Sequence, residues 1–254
     1  MKEQKRNRLP LITCEHGGNE VPAEFASVFQ GKEKKEMLAS HRGWDPGALK
    51  MARHISRALG APLVSETITR LLVEQNRSRH RPTVFSRISS ELPADVRARL
   101  LETIYDPFHH RTLDEIGKIH CLSHAASALS AGDTFAGSSV VHFSIHSFTP
   151  VLNATVRTTD IGILYDPRRA VEKKGALLLQ EILQARLPDL RIRRNYPYVG
   201  YSDGHTTALR KRLPESRYAG FEIEVNQRFF LDDMKAWVRI RDALGQVIGE
   251  YCES

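Results

Sequence analysis

The 254-residue sequence lacks several features that mark specialised classes of protein. Its three cysteines, Cys14, Cys121 and Cys252, lie far apart and form no CxxC pair. A disulfide framework is therefore not expected, which fits a reducing compartment. No apolar run approaches the roughly 20 residues that a membrane-spanning helix needs. The basic N-terminus MKEQKRNRLP is not followed by the apolar segment of a secretory signal. These absences predict a soluble, cytoplasmic protein.

The sequence also lacks motifs that would explain its basic charge by nucleic-acid binding. The net charge is +7 and the pI is about 9.4, with local basic runs such as RRAVEKK and RIRR. No helix-turn-helix, zinc-finger or RNP signature accompanies these runs, which favours a solvated basic face. A basic balance can also mean an anionic surface or an acidic substrate, and neither nucleic acid nor a membrane is the expected partner.

Apolar runs alternate with amphipathic stretches along the chain, which is the pattern of an α/β protein. Strands are predicted at LPLITC, APLVSE, SSVVHFSIHSF, DIGILYD, LRIRRN and YAGFEIEVNQRFF, and TRLLVEQNRS is read as a strand or extended segment. Helices are predicted at DPGALKMARHISRALG, LPADVRARLLETIYDPFHHRTLDEIGKIHCL, RRAVEKKGALLLQEILQARL, HTTALRKRL and LDDMKAWVRIRDALGQVIGEYC. Asp45 is the expected N-cap of the first helix, and Pro107 could break the second. Without repeats or long linkers, residues 1–254 are predicted to form one three-layer α/β/α sandwich with a mostly parallel, mixed sheet.

Polar clusters follow four of the predicted extended segments. They are EHGGNE, EQNRSR, HSFTP and EVNQR. In open α/β sheets, ligands bind beyond the carboxyl ends of the strands. Four clusters rich in His, Glu, Asn and Arg therefore indicate the wall of one pocket.

Histidines supply the candidate metal ligands. His16 precedes two glycines at a strand end, and His146 closes a strong strand, where an imidazole can reach a cleft. His142 shares a strand face with His146 but is expected to be a core residue. His109, His110, His120 and His124 lie on the predicted long helix, and solvated helix histidines are favoured there. His120 and His124 have the i, i+4 spacing of a metal pair but no glutamate in the HExxH pattern.

Two further features could carry chemistry. Glu222 and Glu224 point to the same face of the last strand, where a carboxylate is costly unless it is paired or used. One explanation is that a glutamate serves as a general base. The other is that the strand lies at the edge of the sheet and exposes this face to solvent. The pair Asn76–Arg77 could bind a carboxylate through the planar guanidinium, although a surface arginine is the common alternative.

Six segments together resemble the N-formylglutamate amidohydrolase family, from about Leu11 to Phe230. They are CEHGGNEVP, HRGWDPGA, TRLLVEQNRS, SIHSFTP, NYPYVGYSDG and FEIEVNQRFF. The resemblance implies a zinc-dependent exopeptidase-like (phosphorylase/hydrolase-like) fold. It also implies hydrolysis of an N-acyl group from an acidic amino acid.

The resemblance assigns roles to particular residues. His16 and His146 correspond to metal ligands, Asn76–Arg77 to a carboxylate clamp, and Glu224 to the general base. For the third ligand, Asp45 is favoured over Glu20, although Asp45 also has its expected N-cap role. Asn19 and Ser147 are further substrate-binding candidates.

The sequence departs from the family pattern at three places. Ser144 stands where Asp is common, Glu74-Gln75 replaces Asp-Leu, and Gln227 replaces an arginine. These differences predict a divergent branch that could act on a different N-acyl compound.

The resulting hypothesis is a metal-dependent amidohydrolase. One Zn²⁺, or another divalent metal, is expected to activate water for attack on N-formyl-L-glutamate, giving formate and glutamate. Other N-acyl-amino-acid hydrolases and carboxypeptidase-like metallopeptidases are the alternatives within enzymes. A non-catalytic basic binding module is the alternative outside them.

Overall fold

The computed structural model describes the backbone of residues 8–128 and 139–254 and the side chains of residues 8–121 and 140–254. Six strands form one sheet in the order β2-β1-β3-β8-β6-β7, in which every pair is parallel except β6–β8. A two-stranded antiparallel ribbon, β4–β5, lies apart from it. The strands are β1 Arg8–Cys14, β2 Leu63–Ser65, β3 Ser139–Phe148, β4 Val151–Leu152, β5 Thr155–Val156, β6 Ile161–Leu164, β7 Ile192–Arg194 and β8 Tyr218–Asn226.

Helices cover both faces of the sheet, so the expected mostly parallel, mixed α/β/α arrangement is confirmed. Helices α2, α5 and α8 pack on one face, whereas α4 and α6 pack on the other. Among the described residues, no helix is both long enough and apolar enough to cross a bilayer. The helices are α1 Lys32–Ala39, α2 Ala48–Leu59, α3 Ala94–Leu100, α4 Asp106–Ala128, α5 Ala170–Arg186, α6 His205–Arg212, α7 Gln227–Asp232 and α8 Met234–Glu253.

The two faces of the central strands differ in chemistry because side chains alternate along a strand. The face toward α2, α5 and α8 is apolar and includes Phe143 and Phe221, both fully buried. Burying a side chain of this size contributes roughly 1.5–3 kcal/mol. The face toward α4 and α6 carries a row of buried polar groups at its carboxyl end. They are Thr13, His142, Ser144, His146, Glu222 and Glu224.

The start of α2 differs from the prediction. Asp45 is not the N-cap; Gly47 holds that position in the left-handed region at φ 84°, and its Cα lies against the ring of Phe230. A Cβ at residue 47 would meet that ring at 2.8 Å. The end of the helix is as expected, with Gly60 at φ 60°. The helix therefore begins without the Asp45 carboxylate, which is free to face elsewhere.

Two other predictions of secondary structure, at TRLLVEQNRS and at Pro107, differ from the structure. TRLLVEQNRS is not a strand: Ile68 makes one isolated bridge to Glu20, and residues 70–78 follow as turns and irregular backbone. Thr69 helps to hold this chain reversal, because its hydroxyl donates to the Gly43 carbonyl and accepts from the Leu71 amide. The long helix is not broken at Pro107. A π-helical segment at Leu101–Tyr105 joins α3 to α4, and Pro107 lies in the first turn of α4.

β8 lies inside the sheet, between β3 and β6, and all nine of its residues are buried. The wet-edge explanation for Glu222 and Glu224 is therefore wrong. Register pairs His146 of β3 with Glu224 of β8, so these side chains leave neighbouring strands at the same level. The sheet thus brings residues 78 positions apart in the sequence to one carboxyl-end site.

Candidate active site

A cavity of about 390 Å³ opens at the carboxyl ends of β1, β3 and β8. It draws residues from each of the four polar clusters, in agreement with the prediction of one pocket. The cluster residues in its lining include His16, Asn76, Arg77, His146, Ser147 and Glu224, and Asp45 lines it as well.

Asp45 lies between the two histidines that were predicted as ligands. Its Oδ2 is 2.9 Å from Nδ1 of His146 and 3.4 Å from Nδ1 of His16. The three side chains are buried, and one ligand atom of each lies within 4.8 Å of the others. The backbone holds this arrangement, because the Asp45 amide donates to the His16 carbonyl at 2.9 Å. Each histidine therefore presents Nδ1 to the centre of the group.

A carboxylate stands behind each histidine, on the side of Nε2. Nε2 of His16 contacts Oε1 of Glu74. The second oxygen of Glu74, Oε2, lies 2.5 Å from the guanidinium of Arg70. Nε2 of His146 lies 2.8 Å from the hydroxyl of Ser144 and 3.4 Å from Oε2 of Glu15. Such outer carboxylates orient ligating histidines. The sequence reasoning assigned no role to Glu74, Arg70 or Glu15.

These carboxylates dominate the electrostatics of the site. Burial acts to lower the pKa of His146, but its hydrogen bond to Asp45 and the charge of Glu15 raise that pKa to about 10. Burial and Arg70 act to lower the pKa of His16, yet Glu74 and Asp45 raise it. Burial acts to raise the pKa of the Asp45 carboxyl, and the two imidazoles hold it well below its usual value. The site thus favours positive charge at its centre.

Glu224 and Glu222 both line the cavity but differ in their contacts. Oε1 of Glu222 accepts a hydrogen bond from the Thr206 hydroxyl at 2.6 Å. Oε2 of Glu224 is buried and has no hydrogen-bond partner among the described residues. Burial raises the pKa of Glu224 to about 7, since the positive charge of His146 offsets only part of it. Glu224 is therefore a carboxyl that can take or give a proton near neutrality.

Arg77 is held by backbone carbonyls. Its Nη1 donates to the carbonyls of Asn76, at 2.7 Å, and Asp203, at 3.2 Å. No carboxylate pairs with Arg77 within the described ranges, so its remaining donors are available to a ligand. Oδ1 of Asn76 accepts from the His205 amide, and a Cβ at Gly204 would lie 2.7 Å from that oxygen. Glycine at 204 permits this close approach.

Three other predicted residues lie in different positions. Glu20 is exposed and accepts a hydrogen bond from Thr67, so Asp45 is the carboxylate that approaches both histidines. Asn19 donates to the Leu38 carbonyl at 3.1 Å and is not among the residues that line the cavity. Ser147 does line it, but its hydroxyl donates to the Pro46 carbonyl while its amide donates to Asp45. Ser147 therefore holds the loop that carries Asp45.

The model of one known family matches residues 10–231, described as N-formylglutamate amidohydrolase. The chain belongs to the N-formylglutamate amidohydrolase family. Among curated proteins, none matches it significantly. Among solved structures, the chain is similar to the gene product Atu2144 from Agrobacterium tumefaciens, with 27% identity, a TM-score of 0.70, and 95% of this chain and 90% of that one covered.

Two more distant structures are also similar to the chain. One is a bacteriophage poly-γ-glutamate hydrolase, at 11% identity and a TM-score of 0.42, covering 98% of this chain and 87% of that one. The other is an N-acetylmuramoyl-L-alanine amidase from Clostridium difficile 630, at 13% identity and a TM-score of 0.38, covering 98% and 99%. Membership of the family supports an amide-hydrolysing enzyme.

All three departures from the family pattern lie in or next to this site. Ser144 bridges His146 to Glu15, and Glu74 contacts His16. Gln227 donates from its amide to the carbonyl and the hydroxyl of Ser147, both at 3.1 Å. Each departure is therefore part of the packing around the histidines or the loop that carries Asp45.

A second set of buried or nearly buried histidines lies deeper on the same face of the sheet; we call His109, His142 and His205 the inner histidines. Burial lowers the pKa of His142 to about 3 and that of His109 to about 4, and it lowers the pKa of His205 as well. Glu15, His142 and His205 have ligand atoms within 4.8 Å of one another. Both ring nitrogens of His142 are already hydrogen-bonded, to Thr13 and Tyr218. The inner histidines are thus neutral, and the expectation that His109 is a solvated helix histidine is wrong. Nε2 of His109 and Nε2 of His205 are buried and have no hydrogen-bond partner among the described residues.

The His16, Asp45 and His146 group fits a zinc ion by its donors and by its charge. Two imidazoles and one carboxylate are the ligand set of many catalytic zinc sites, which leave a further position for water. Three carboxylates contact these imidazoles, namely Glu74, Asp45 and Glu15. One guanidinium, that of Arg70, pairs with Glu74 and Asp45. A divalent cation would balance this excess of buried negative charge.

Proposed function

We propose that the protein is a zinc-dependent amidohydrolase that cleaves the N-acyl amide of an acidic amino acid such as N-formyl-L-glutamate. Hydrolysis of that compound gives formate and glutamate. The observation that carries the proposal is Glu224, a buried carboxyl without a partner in the described chain, in the cavity that also holds His16, Asp45 and His146. Membership of the family supports the reaction class.

His16, Asp45 and His146 would hold the zinc, which when bound lowers the pKa of a water molecule and polarises the scissile carbonyl. Glu224 accepts a proton from the attacking water. As the C–N bond breaks, Glu224 returns that proton to the departing amine nitrogen. A pKa of about 7 suits a group that performs both transfers. The water oxygen remains on the acyl carbon, which leaves as the carboxylic acid.

Arg77 binds the α-carboxylate of the substrate. Its hydrogen bonds to two backbone carbonyls fix the guanidinium before substrate arrives, which reduces the entropy lost on binding. The amide of Asn76 lies beside it and can donate to the same carboxylate. These contacts hold the substrate so that its N-acyl carbonyl faces Glu224 and the histidines.

The charges of the cavity support an acidic substrate. Arg42 and Arg77 line it without a carboxylate partner among the described residues, whereas Arg70 is bound to Glu74 and Asp45. A dicarboxylic amino acid offers one carboxylate to each free guanidinium. A neutral N-acyl amino acid offers only one, so it is expected to bind more weakly.

The proposal is tested by removing and restoring the metal. A chelator should abolish hydrolysis of N-formylglutamate, and zinc should restore it; full activity after complete removal of metal would contradict a metal-dependent mechanism. A panel of N-formyl, N-acetyl and N-succinyl amino acids and short peptides identifies the acyl group. Turnover of peptides alone would favour a carboxypeptidase-like enzyme, and no turnover with retention on polyanions would favour a binding module.

Glu224 and Glu222 form a matched pair of variants, because both lie on the same strand face two residues apart. Glu224→Gln should keep its zinc and lose about 10²- to 10⁴-fold in kcat. Glu222→Gln alters a hydrogen bond to Thr206 and should cost about 1 kcal/mol of stability, with much less effect on kcat. Full turnover by Glu224→Gln would remove it from the mechanism.

A further inference from the structure

Glu15 is a buried carboxylate that the proposed mechanism does not use. Its side chain is fully buried and does not line the cavity. Two hydroxyls donate to it: Thr13 to Oε1 and Ser144 to Oε2, both at 2.7 Å. Each hydroxyl also contacts a histidine. Thr13 lies 2.7 Å from Nε2 of His142, and Ser144 lies 2.8 Å from Nε2 of His146.

These contacts fix the hydrogen positions. Each hydroxyl has a single hydrogen, and both donate it to the oxygens of Glu15. The hydroxyl oxygen must then accept from the imidazole on its other side. Nε2 of His142 and Nε2 of His146 therefore both carry a hydrogen.

The other nitrogen of each ring follows from the first. Nδ1 of neutral His142 has a lone pair and accepts from the Tyr218 hydroxyl at 2.7 Å. Nδ1 of His146 points to Asp45 at 2.9 Å. Because Nε2 of His146 keeps its hydrogen, Nδ1 is the nitrogen whose lone pair can bind a cation.

We propose that Glu15 is a positioning residue that, through Ser144 and Thr13, keeps a hydrogen on Nε2 of His146 and of His142 and so leaves Nδ1 of each ring for its other partners. Two chains of hydrogen bonds leave Glu15. The His146 branch runs through the Ser144 hydroxyl to His146 in the cavity. The His142 branch runs through the Thr13 hydroxyl to His142, one of the inner histidines. The consequence for metal binding by His146 rests on the proposed function. The consequence for His142 does not, since it concerns the metal-free protein.

The His142 branch is tested by NMR of the ring nitrogens in metal-free, ¹⁵N-histidine-labelled protein near pH 7. His142 should be in the Nε2–H form, with its signals assigned by comparison with a His142→Gln variant. Thr13→Val should alter these signals, Thr13→Ser should restore them, and Ser144→Ala should leave them unchanged. An Nδ1–H form of His142 in the unmodified protein would overturn the proposal even if the protein binds no zinc.

The His146 branch is tested by zinc affinity, measured by competition with a chromophoric chelator. Ser144→Ala should weaken zinc binding by about 10- to 100-fold, the usual cost of losing an outer partner of a ligating histidine. Ser144→Thr keeps the hydroxyl and should retain affinity. Thr13→Val, on the other branch of the same carboxylate, should stay close to the unmodified protein. Equal losses for Ser144→Ala and Thr13→Val would mean general loosening and would overturn the assignment.

Glu15→Gln tests the carboxylate itself. A glutamine side chain has one donor end and one acceptor end, so it cannot accept from both hydroxyls. At least one of the two readouts, the His142 ring signals or the zinc affinity, must therefore change. If neither changes, Glu15 does not set the hydrogen positions. If the unmodified protein binds no zinc, the proposed function fails, and the His142 signals still decide this inference.

Discussion

The cavity histidines, His16 and His146, and the inner histidines, His109, His142 and His205, lie near one another but have opposite tendencies to hold a proton. Burial acts to lower the pKa in both sets. Carboxylates contact the cavity histidines and reverse the effect of burial. The inner histidines contact hydroxyls and aromatic rings instead. The neighbours of these histidines, rather than their depth, therefore decide which of them can bind a cation.

The two sets of histidines also differ in the buried charge that accompanies them. The cavity histidines bring negative partners into the interior, which is costly unless a positive charge joins them. A proton does so in the metal-free protein, and a metal ion would have to displace it. The inner histidines bring no charge, and the hydrogen bonds of His142 connect Thr13 of β1 to Tyr218 of β8.

The largest effect is expected from Asp45→Asn, which removes the charge between the cavity histidines. Zinc affinity should fall by more than about a hundredfold, and kcat/KM by on the order of a thousandfold, since a metal contributes several kcal/mol to transition-state stabilisation. Metal content and steady-state kinetics measure both. The inner histidines do not contact Asp45, so circular dichroism should show an unchanged fold.

Glu20→Gln is the control for this variant, because Glu20 was the other candidate carboxylate. The structure places it at the surface on Thr67. Zinc affinity and kcat/KM should therefore remain near those of the unmodified protein. A larger loss from Glu20→Gln than from Asp45→Asn would assign the third ligand to Glu20 and remove Asp45 from the proposed site.

The second prediction concerns the stability of the metal-free protein as a function of pH. The pKa of His142 is about 3 when folded and near its ordinary 6.5 when unfolded, so below pH 6.5 the unfolded chain binds a proton that the folded chain does not. Stability is therefore lost as the pH falls from about 6.5 toward 3. Between pH 6.5 and 4.5 this loss is roughly 2 kcal/mol. Urea unfolding should show that His142→Gln lacks this part of the loss.

His146 should give the opposite sign. Its pKa is raised to about 10 in the folded, metal-free protein, so its contribution is fully present below pH 6.5 and is lost as the pH rises through 10. The free energy of unfolding should therefore decrease between pH 7 and 9, and His146→Gln should weaken this decrease. If both variants changed the same side of the pH profile, the two sets of histidines would not differ as described.

Much of the site could be predicted because strand periodicity and strand ends are local features of the sequence. The side chains of His146 and Glu224 lie on the polar face of β3 and β8, and His16 lies two residues after the end of β1. The carboxyl ends of parallel strands meet at one edge, which brings these residues together. The family model matches residues 10–231, a range that includes these positions.

The remaining parts depend on tertiary contacts that no local pattern records. Asp45 looked like an N-cap because it precedes Pro46, but the left-handed Gly47 starts the helix and frees the carboxylate. Glu74 lies in a segment that resembled a strand and is in fact a chain reversal held by side-chain hydrogen bonds. Glu15 is adjacent to His16 in sequence, yet it is connected to His146 through the Ser144 hydroxyl, across the β1–β3 pair.

The smallest effect is expected from Glu74→Gln, which alters the outer partner of His16 and leaves Asp45 in place. The glutamine keeps the shape of the side chain but loses the charge that binds Arg70. Because outer partners typically contribute 10- to 100-fold to metal affinity, and a glutamine oxygen can still accept from Nε2, zinc affinity should fall by about tenfold. Chelator competition measures it. A loss as large as that of Asp45→Asn would place Glu74 among the ligands, and His16 would then bind through Nε2 instead of Nδ1.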